Sequence, residues 1–269
     1  MNDVKTDART DTSTADAPCV TLVIRDQVAY ITLDRPQAMN AFDRTQRERF
    51  SAAVIEADAD VGVRTIVITG KGRAFCAGQD QYESAQMDAA GSSARIDSYM
   101  ELYEVFRSLK KPVIARINGV AAGAGLQIAL MADLRIASTQ ARFGMTEFKV
   151  GSAAIFGSAL LRAIVGEAAM KRMVLLAEIV PAAPSLALGL VHEVVDDDAL
   201  DARIAEICAT IAQWSESSVA ITKSWWKTMG DEDFAKAADA ARRGHAANFA
   251  SGTYSAGAKK FTERKRNDG

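Results

Sequence analysis

The sequence predicts an α/β fold: a largely parallel sheet with crossover helices, followed by a helical C-terminal region. Three observations carry this. Short β-branched runs alternate with segments of helical periodicity between residues 19 and 197. Residues 198–266 keep the helical patterning and lose the strand signal. Hydrophobic residues make up 49% of the 269, enough for a sizeable core in one large or two small domains.

The elements follow in order. "CVTLVIRDQVAYITLDRP" (19–36) holds two β-branched runs, Val20–Ile24 and Val28–Leu33, around a polar turn, and reads as a hairpin ended by Pro36. Over 43–59, Phe50, Ala53, Val54 and Ala57 fall on one helical face. "RTIVITG" (64–70) is a continuous β-branched run and reads as a buried strand, followed by the glycine-punctuated loop "GKGRAFCAGQD" (70–80). A helix over about 95–110 leads to the strand "PVIARI" (112–117). "NGVAAGAG" then turns into a helix at about 124–132, and "DLRIAS" (133–138) is the next strand. Past "GLVHEVV" (189–195), helical segments lie near 199–215, 217–229, 232–250 and 257–265. The division expected is a polar, disordered tail over 1–18, a core over 19–197 and a helical region over 198–269.

Composition removes several classes of function. The net charge of -2 gives no basic footprint for nucleic acid. The tail lacks the apolar stretch of a signal peptide, and no apolar run approaches the ~18 residues of a membrane span. Cys19, Cys76 and Cys208 are scattered, with no metal-ligand or disulfide spacing, so a reducing cytoplasm is the expected location. With His192 and His245 the sole histidines and no G-x-S-x-G elbow, neither a His-rich metal site nor a Ser-His-Asp hydrolase is expected.

The chemistry concentrates in two glycine loops, "AFCAGQD" (74–80) and "GVAAGAG" (119–125), each placed after a strand. Glycine and alanine let a ligand approach the backbone and leave N–H groups free to donate. Two such groups converging on one oxygen form an oxyanion hole. Small residues also serve tight helix–sheet packing, the better reading for either loop alone. A dinucleotide loop fails on spacing, because G-x-G-x-x-G from Gly123 meets Ile128 where glycine is required. A phosphate-binding P-loop fails because the Gly-Lys-Ser/Thr ending is missing.

In order along the chain, "LDRPQAMNAF" (33–42), "AFCAGQD", "KPVIARINGVAAGAGLQIALMAD", "ARFGMTE" (141–147), "GLVHEVV" and "GAKKFTERKR" (257–266) resemble the crotonase family, which includes enoyl-CoA hydratases and isomerases. The resemblance runs from about residue 19 to 266. It implies a spiral of ββα turns with a C-terminal helical trimerisation region, and a homotrimer or hexamer. It implies a coenzyme A thioester substrate and a stabilised thioester enolate, with no separate cofactor because coenzyme A is part of the substrate. The oxyanion donors it implies are the backbone N–H groups of Gln79 and Ala124. Contacts to the CoA ester carry over to Arg35, Gln37, Ala38, Ala77, Asp80, Gln81 and Gly123. Phe261 and Lys265 are implied at the nucleotide end, from this or a neighbouring subunit. For Arg35, Asp80 and Lys265 a solvated surface charge is an equal alternative, and for Phe261 simple core packing.

The family's hydratases use two glutamates around a water. At those positions stand Gln127 and Glu147. Glu147, in "FGMTEFKVG", is set among apolar residues that raise a carboxyl pKa toward a useful range; the alternative is a structural ion pair with Lys149 or Arg142. Gln127 carries one acceptor oxygen and two donor hydrogens and cannot be a base. A core hydrogen bond and a substrate contact are level alternatives for it. One titrating carboxylate suits 3-enoyl to 2-enoyl-CoA isomerisation better than two-carboxylate hydration. Family hydratase-lyases that keep only this Glu leave hydration open, as the oxyanion hole does decarboxylation and thioester hydrolysis. A catalytically weak CoA-binding protein is the non-enzyme alternative. "SAAIFGS" (152–158) lacks the loop Asp of dehalogenases, and Ile155 and Phe156 there line an apolar acyl pocket or pack the core.

Overall fold

The computed structural model describes residues 19–267, with side chains to residue 264. The expected tail over 1–18 and the Lys265 side chain lie outside the described residues. The chain opens with the expected hairpin, β1 (Val20–Arg25) and β2 (Val28–Leu33). Asp26 and Gln27 turn it with φ of 50° and 62°, the left-handed pair that matches strand twist in a two-residue hairpin. α1 (Arg44–Ala59) follows, capped by the Asp43 carboxylate, which accepts from the Gln46 N–H at 2.8 Å. Its buried face includes Phe50, Ala53, Val54 and Ala57, as the periodicity predicts.

The alternation that follows builds two sheets rather than one. β3 (Thr65–Gly70), β5 (Val113–Ile117), β7 (Leu134–Ser138) and β10 (Glu193–Val195) extend the hairpin in parallel, giving the order β1-β2-β3-β5-β7-β10. A second sheet stacks β4 (Ala74–Cys76), β6 (Val120–Ala122), β8 (Arg142–Gly144) and β9 (Ile179–Pro181). Each turn of chain therefore lays one strand in the first sheet, bends, and lays a short strand in the second. Three-residue strands such as Ala-Phe-Cys and Val-Ala-Ala carry too little alternation to be read, so the expected loops at 70–80 and 119–125 each hide one. This is a spiral of ββα turns, closed by α2 (Gln81–Ala85), α3 (Ala89–Ser108) and α4 (Ala124–Met131). α3 begins six residues earlier than the periodicity predicts, where the Asp88 carboxylate caps it by accepting from the Gly91 N–H.

The main sheet is covered on both faces, which explains its unbroken β-branched runs. Ile66, Ile68, Ala115 and Ile117 face one core, under α1 and α3. Val67, Ile114 and Ile136 face the other, under Leu200, Ile204 and Ile207 of α7 (Leu200–Ile211). Between β8 and α7 lie α5 (Phe156–Leu175), broken at Gly166, and α6 (Ala182–Ala187). α8 (Glu216–Met229), α9 (Asp231–Ala250) and α10 (Thr253–Asn267) complete the helical region. Within this region, α9 packs on α3 and α10 on α2.

Gly125, in the first turn of α4, sets the distance between α4 and β4. A Cβ there would lie 2.1 Å from the Cys76 carbonyl oxygen of β4, inside any van der Waals contact. Gly125→Ala therefore forces α4 away from β4. The expected loss is about 1–3 kcal/mol in denaturant unfolding, with the folded fraction showing weakened activity.

Candidate active site

The two glycine loops meet at the carboxyl ends of β4 and β6. Gly78 adopts a φ of 100°, and a Cβ there would stand 2.7 Å from the Ala122 carbonyl oxygen and 3.3 Å from the Ala124 nitrogen. Gly123 adopts a φ of 51° and hands the chain into α4. These positions require glycine because L side chains rarely tolerate that backbone. The close approach of Gly78 to the Ala124 nitrogen brings Gln79 and Ala124, one residue beyond each glycine, to the same end of the two strands. Neither N–H meets an acceptor among the described residues. Phe42 pairs with the flanks of Gln79, donating to Gly78 and accepting from Asp80, which turns the Gln79 N–H the other way. Ala124 is the first residue of its helix, where the amide lacks an intrahelical partner and the helix dipole is positive.

The Gln79 side chain is clamped as well. Its Oε1 accepts from the Tyr99 hydroxyl at 2.8 Å and from Arg47 at 3.1 Å, and its Nε2 donates to Glu83 at 2.6 Å. Arg47 is buried, paired with Glu83 at 3.3 Å and stacked over Tyr99. Fixing the side chain from both ends fixes the adjoining peptide plane.

Glu147 enters beside the pair of amides. A Cβ on Gly123 would lie 3.6 Å from its Oε1. Oε1 accepts from Gln127 Nε2 at 3.0 Å, while Oε2 is out of solvent contact and has no partner. Burial pushes the carboxyl up to about 7, with the Gln127 hydrogen bond pulling the other way. No ion pair joins Glu147 to Lys149 or Arg142. Gln127 is oriented in turn by Tyr103, whose hydroxyl donates to its Oε1 at 2.9 Å. An ionised Glu147 can only accept, so the amide must show it the NH2 and turn its oxygen to Tyr103. Tyr103 stacks on Phe156 with ring centroids 4.8 Å apart.

All of this opens into one cavity of about 870 Å³. Gln37, Ala38, Ala77, Gln81, Gly123, Ile155 and Phe156 line it, together with Gln79, Ala124, Gln127 and Glu147. Arg35 and Asp80 also line it, but they are not free surface charges. Arg35 pairs with Asp43 at 2.8 Å and with Asp80 at 3.0 Å, and the Asp80 carboxylate caps α2. Phe261, from α10, faces the cavity and is partly exposed. Tyr99, Tyr103, Arg95, Ala241 and Tyr254 line it as well and were not singled out from the sequence, and His245, weighed there only as a metal ligand or hydrolase base, joins them. On α3, Ile96, Tyr99, Met100 and Tyr103 have ordinary core-facing spacing, so their signal is that of any buried helix.

Comparison with known proteins fits this arrangement. The sequence model of the enoyl-CoA hydratase/isomerase family matches residues 24–268. The chain is 37% identical over 206 residues to the (E)-benzylidenesuccinyl-CoA hydratase of Thauera aromatica, covering 76% of this chain and 80% of that one. It is 32% identical over 199 residues to the short-chain-enoyl-CoA hydratase of Clostridium acetobutylicum, covering 73% and 76%. The crystal structure of an enoyl-CoA hydratase/isomerase from Xanthobacter autotrophicus superposes with a TM-score of 0.84 at 29% identity, over 94% of each chain. A match of this length and relatives this similar make the chain a member of the enoyl-CoA hydratase/isomerase family.

Proposed function

We propose that the protein is an acyl-CoA enzyme that generates a thioester enolate and moves one proton with Glu147. The observation that carries this is the unpartnered, buried Oε2 of Glu147 beside two unpaired N–H groups, those of Gln79 and Ala124. In the preferred reaction, a 3-enoyl-CoA places its thioester oxygen on the two amides. Glu147 removes a proton from C2, and the resulting dienolate charge rests on the thioester oxygen. The same carboxyl returns the proton at C4, giving the conjugated 2-enoyl-CoA. Gln127 supports this single-base scheme. Its oxygen is taken by Tyr103 and its amide by Glu147, so it holds the base in place instead of competing for the proton.

Hydration of a 2-enoyl-CoA by Glu147 alone is the second reading, favoured by the names of the relatives, which are mostly hydratases. Arg35, Gln37, Ala38, Ala77, Asp80, Gln81 and Gly123 are proposed to hold the CoA ester, with Phe261 and Lys265 at its nucleotide end.

Turnover of 2-enoyl- and 3-enoyl-CoA in heavy water, read by mass and NMR, separates the two. Conversion of 3-enoyl- to 2-enoyl-CoA without an added hydroxyl is the expected result, with deuterium at C4 to the extent that the Glu147 proton exchanges with solvent before its return, and a 3-hydroxyacyl product overturns the preferred reaction. Glu147→Gln should lower kcat by about 10²–10⁴-fold in either case; an unchanged rate excludes Glu147 as the acid/base.

The base must be ionised to act, so kcat/KM should fall as pH drops through about 7. Stability has the opposite sign. Between the ordinary 4.5 and about 7 the folded protein holds a proton that the unfolded chain has released, so stability falls as pH rises through that window. Above it the buried charge costs about 3 kcal/mol. Glu147→Gln should therefore stabilise the protein at about pH 8 and have little effect at about pH 5, measured by chemical denaturation. Tyr103→Phe keeps the ring stack but frees the Gln127 amide to turn from Glu147. Its pH–rate limb should move to higher pH, and an unmoved limb would show that the hydroxyl does not set the amide's orientation.

A further inference from the structure

The cavity contains a positive charge that no acidic group answers. Arg95, on α3, is 5% exposed and lines the cavity. Among the described residues no carboxylate lies within ion-pair distance of it, and its Nε donates to nothing. Its neighbour is Tyr254: Nη1 donates to the tyrosine hydroxyl, and the guanidinium sits 4.7 Å from the ring centroid. Tyr254 donates onward to Ser84 Oγ at 2.7 Å, and Ser84 donates to the Asp80 carbonyl oxygen at 2.9 Å. This chain holds the guanidinium in place without neutralising it. His245, also on the cavity wall, is pushed down to about 4 by burial and by Arg95, so it adds no charge at neutral pH. The contrast is with Arg35, which two carboxylates neutralise.

A buried charge without a partner is expensive, and a ligand that brings the opposite charge recovers that cost on binding. We propose that Arg95 is the subsite for a carboxylate carried on the acyl group, so that the substrate is the CoA thioester of an unsaturated dicarboxylic acid. This rests on the reading of the cavity as an acyl-CoA site. Arg95 precedes Tyr103 by eight residues on one helix, about 12 Å along its axis. The subsite is thus set apart from the Gln127–Glu147 end, and the ligand's carboxylate is kept away from the charge that develops on the enolate. A nucleotide phosphate is the other anion available. It is multiply charged and strongly hydrated, and it suits the cavity mouth better than a guanidinium withdrawn from water.

Binding of unreactive, saturated thioesters tests this without turnover. Calorimetry would compare glutaryl- and adipoyl-CoA with pentanoyl- and hexanoyl-CoA, uncharged chains of equal carbon number, and with free CoA. The wild-type protein should prefer the carboxylated esters by about 10-fold or more. Arg95→Met should erase the preference while leaving free CoA affinity unchanged, and Arg95→Lys, which keeps the charge, should retain part of it. No preference in the wild type overturns the inference whether or not the Met variant folds. An equal loss for every ligand, free CoA included, assigns Arg95 to a phosphate or to packing and also overturns it. Failure of CoA and all its esters to bind overturns the acyl-CoA reading itself, whereas CoA binding without a carboxylate preference overturns this inference alone.

Discussion

The site depends on two stretches of backbone passing closer together than side chains would allow. Gly78 and Gly125 each face a carbonyl oxygen at a distance that excludes a Cβ, and Gly123 takes a left-handed turn between them. The reward of that close approach is directional. Two amides without an acceptor among the described residues are left on the cavity wall, one at the isolated bridge between Gln79 and Phe42 and one at the start of α4. The clamp on Gln79 by Tyr99, Arg47 and Glu83, and the bridge of Phe42 across it, hold one amide in aim. The start of α4 aims the other.

The two loops were legible in the residues, because glycine placement is a local signal, while their role came from the resemblance. "AFCAGQD" and "GVAAGAG" mark the two loops, and it is the resemblance to the crotonase family that singles out Gln79, Ala124 and, in "FGMTEFKVG", Glu147. The fold class followed from patterning, while the second sheet did not, since its strands are too short to show a period. Side chains that act through distant partners were also hidden. Asn40 is wholly buried, and its amide donates to the Lys71 and Ala74 carbonyls, tying the loop after β2 to the loop before β4. Nothing in "MNAF" reveals that those carbonyls pass nearby. Tyr103 and Arg95 were invisible for the same reason: their meaning comes from Gln127 and Tyr254, far along the chain.

The cavity's electrostatics are sparse and polarised. One carboxyl, Glu147, stands near the amide pair with a free oxygen, and one guanidinium, Arg95, stands along α3 with a free nitrogen. Other charges on the wall, such as Arg35 and Asp80, are neutralised by each other. Where water is excluded, each unpaired group acts strongly on whatever arrives, because little else screens it. In the proposed reaction, that sparseness leaves Glu147 as the single proton carrier.

The wall supplied by α9 and α10 bears on how the molecule comes together. The amide pair and Glu147 are assembled by the spiral, from residues 78 to 147, but the enclosure needs Ala241, His245, Tyr254 and Phe261. Tyr254 reaches back 170 residues to Ser84, and Arg242 reaches 145 residues to Asp97. Contacts of such long range close late in folding, since the intervening chain must first be ordered. During synthesis, then, residues 78 to 147 emerge before α9 and α10, and the cavity gains its last wall only once those two helices have docked.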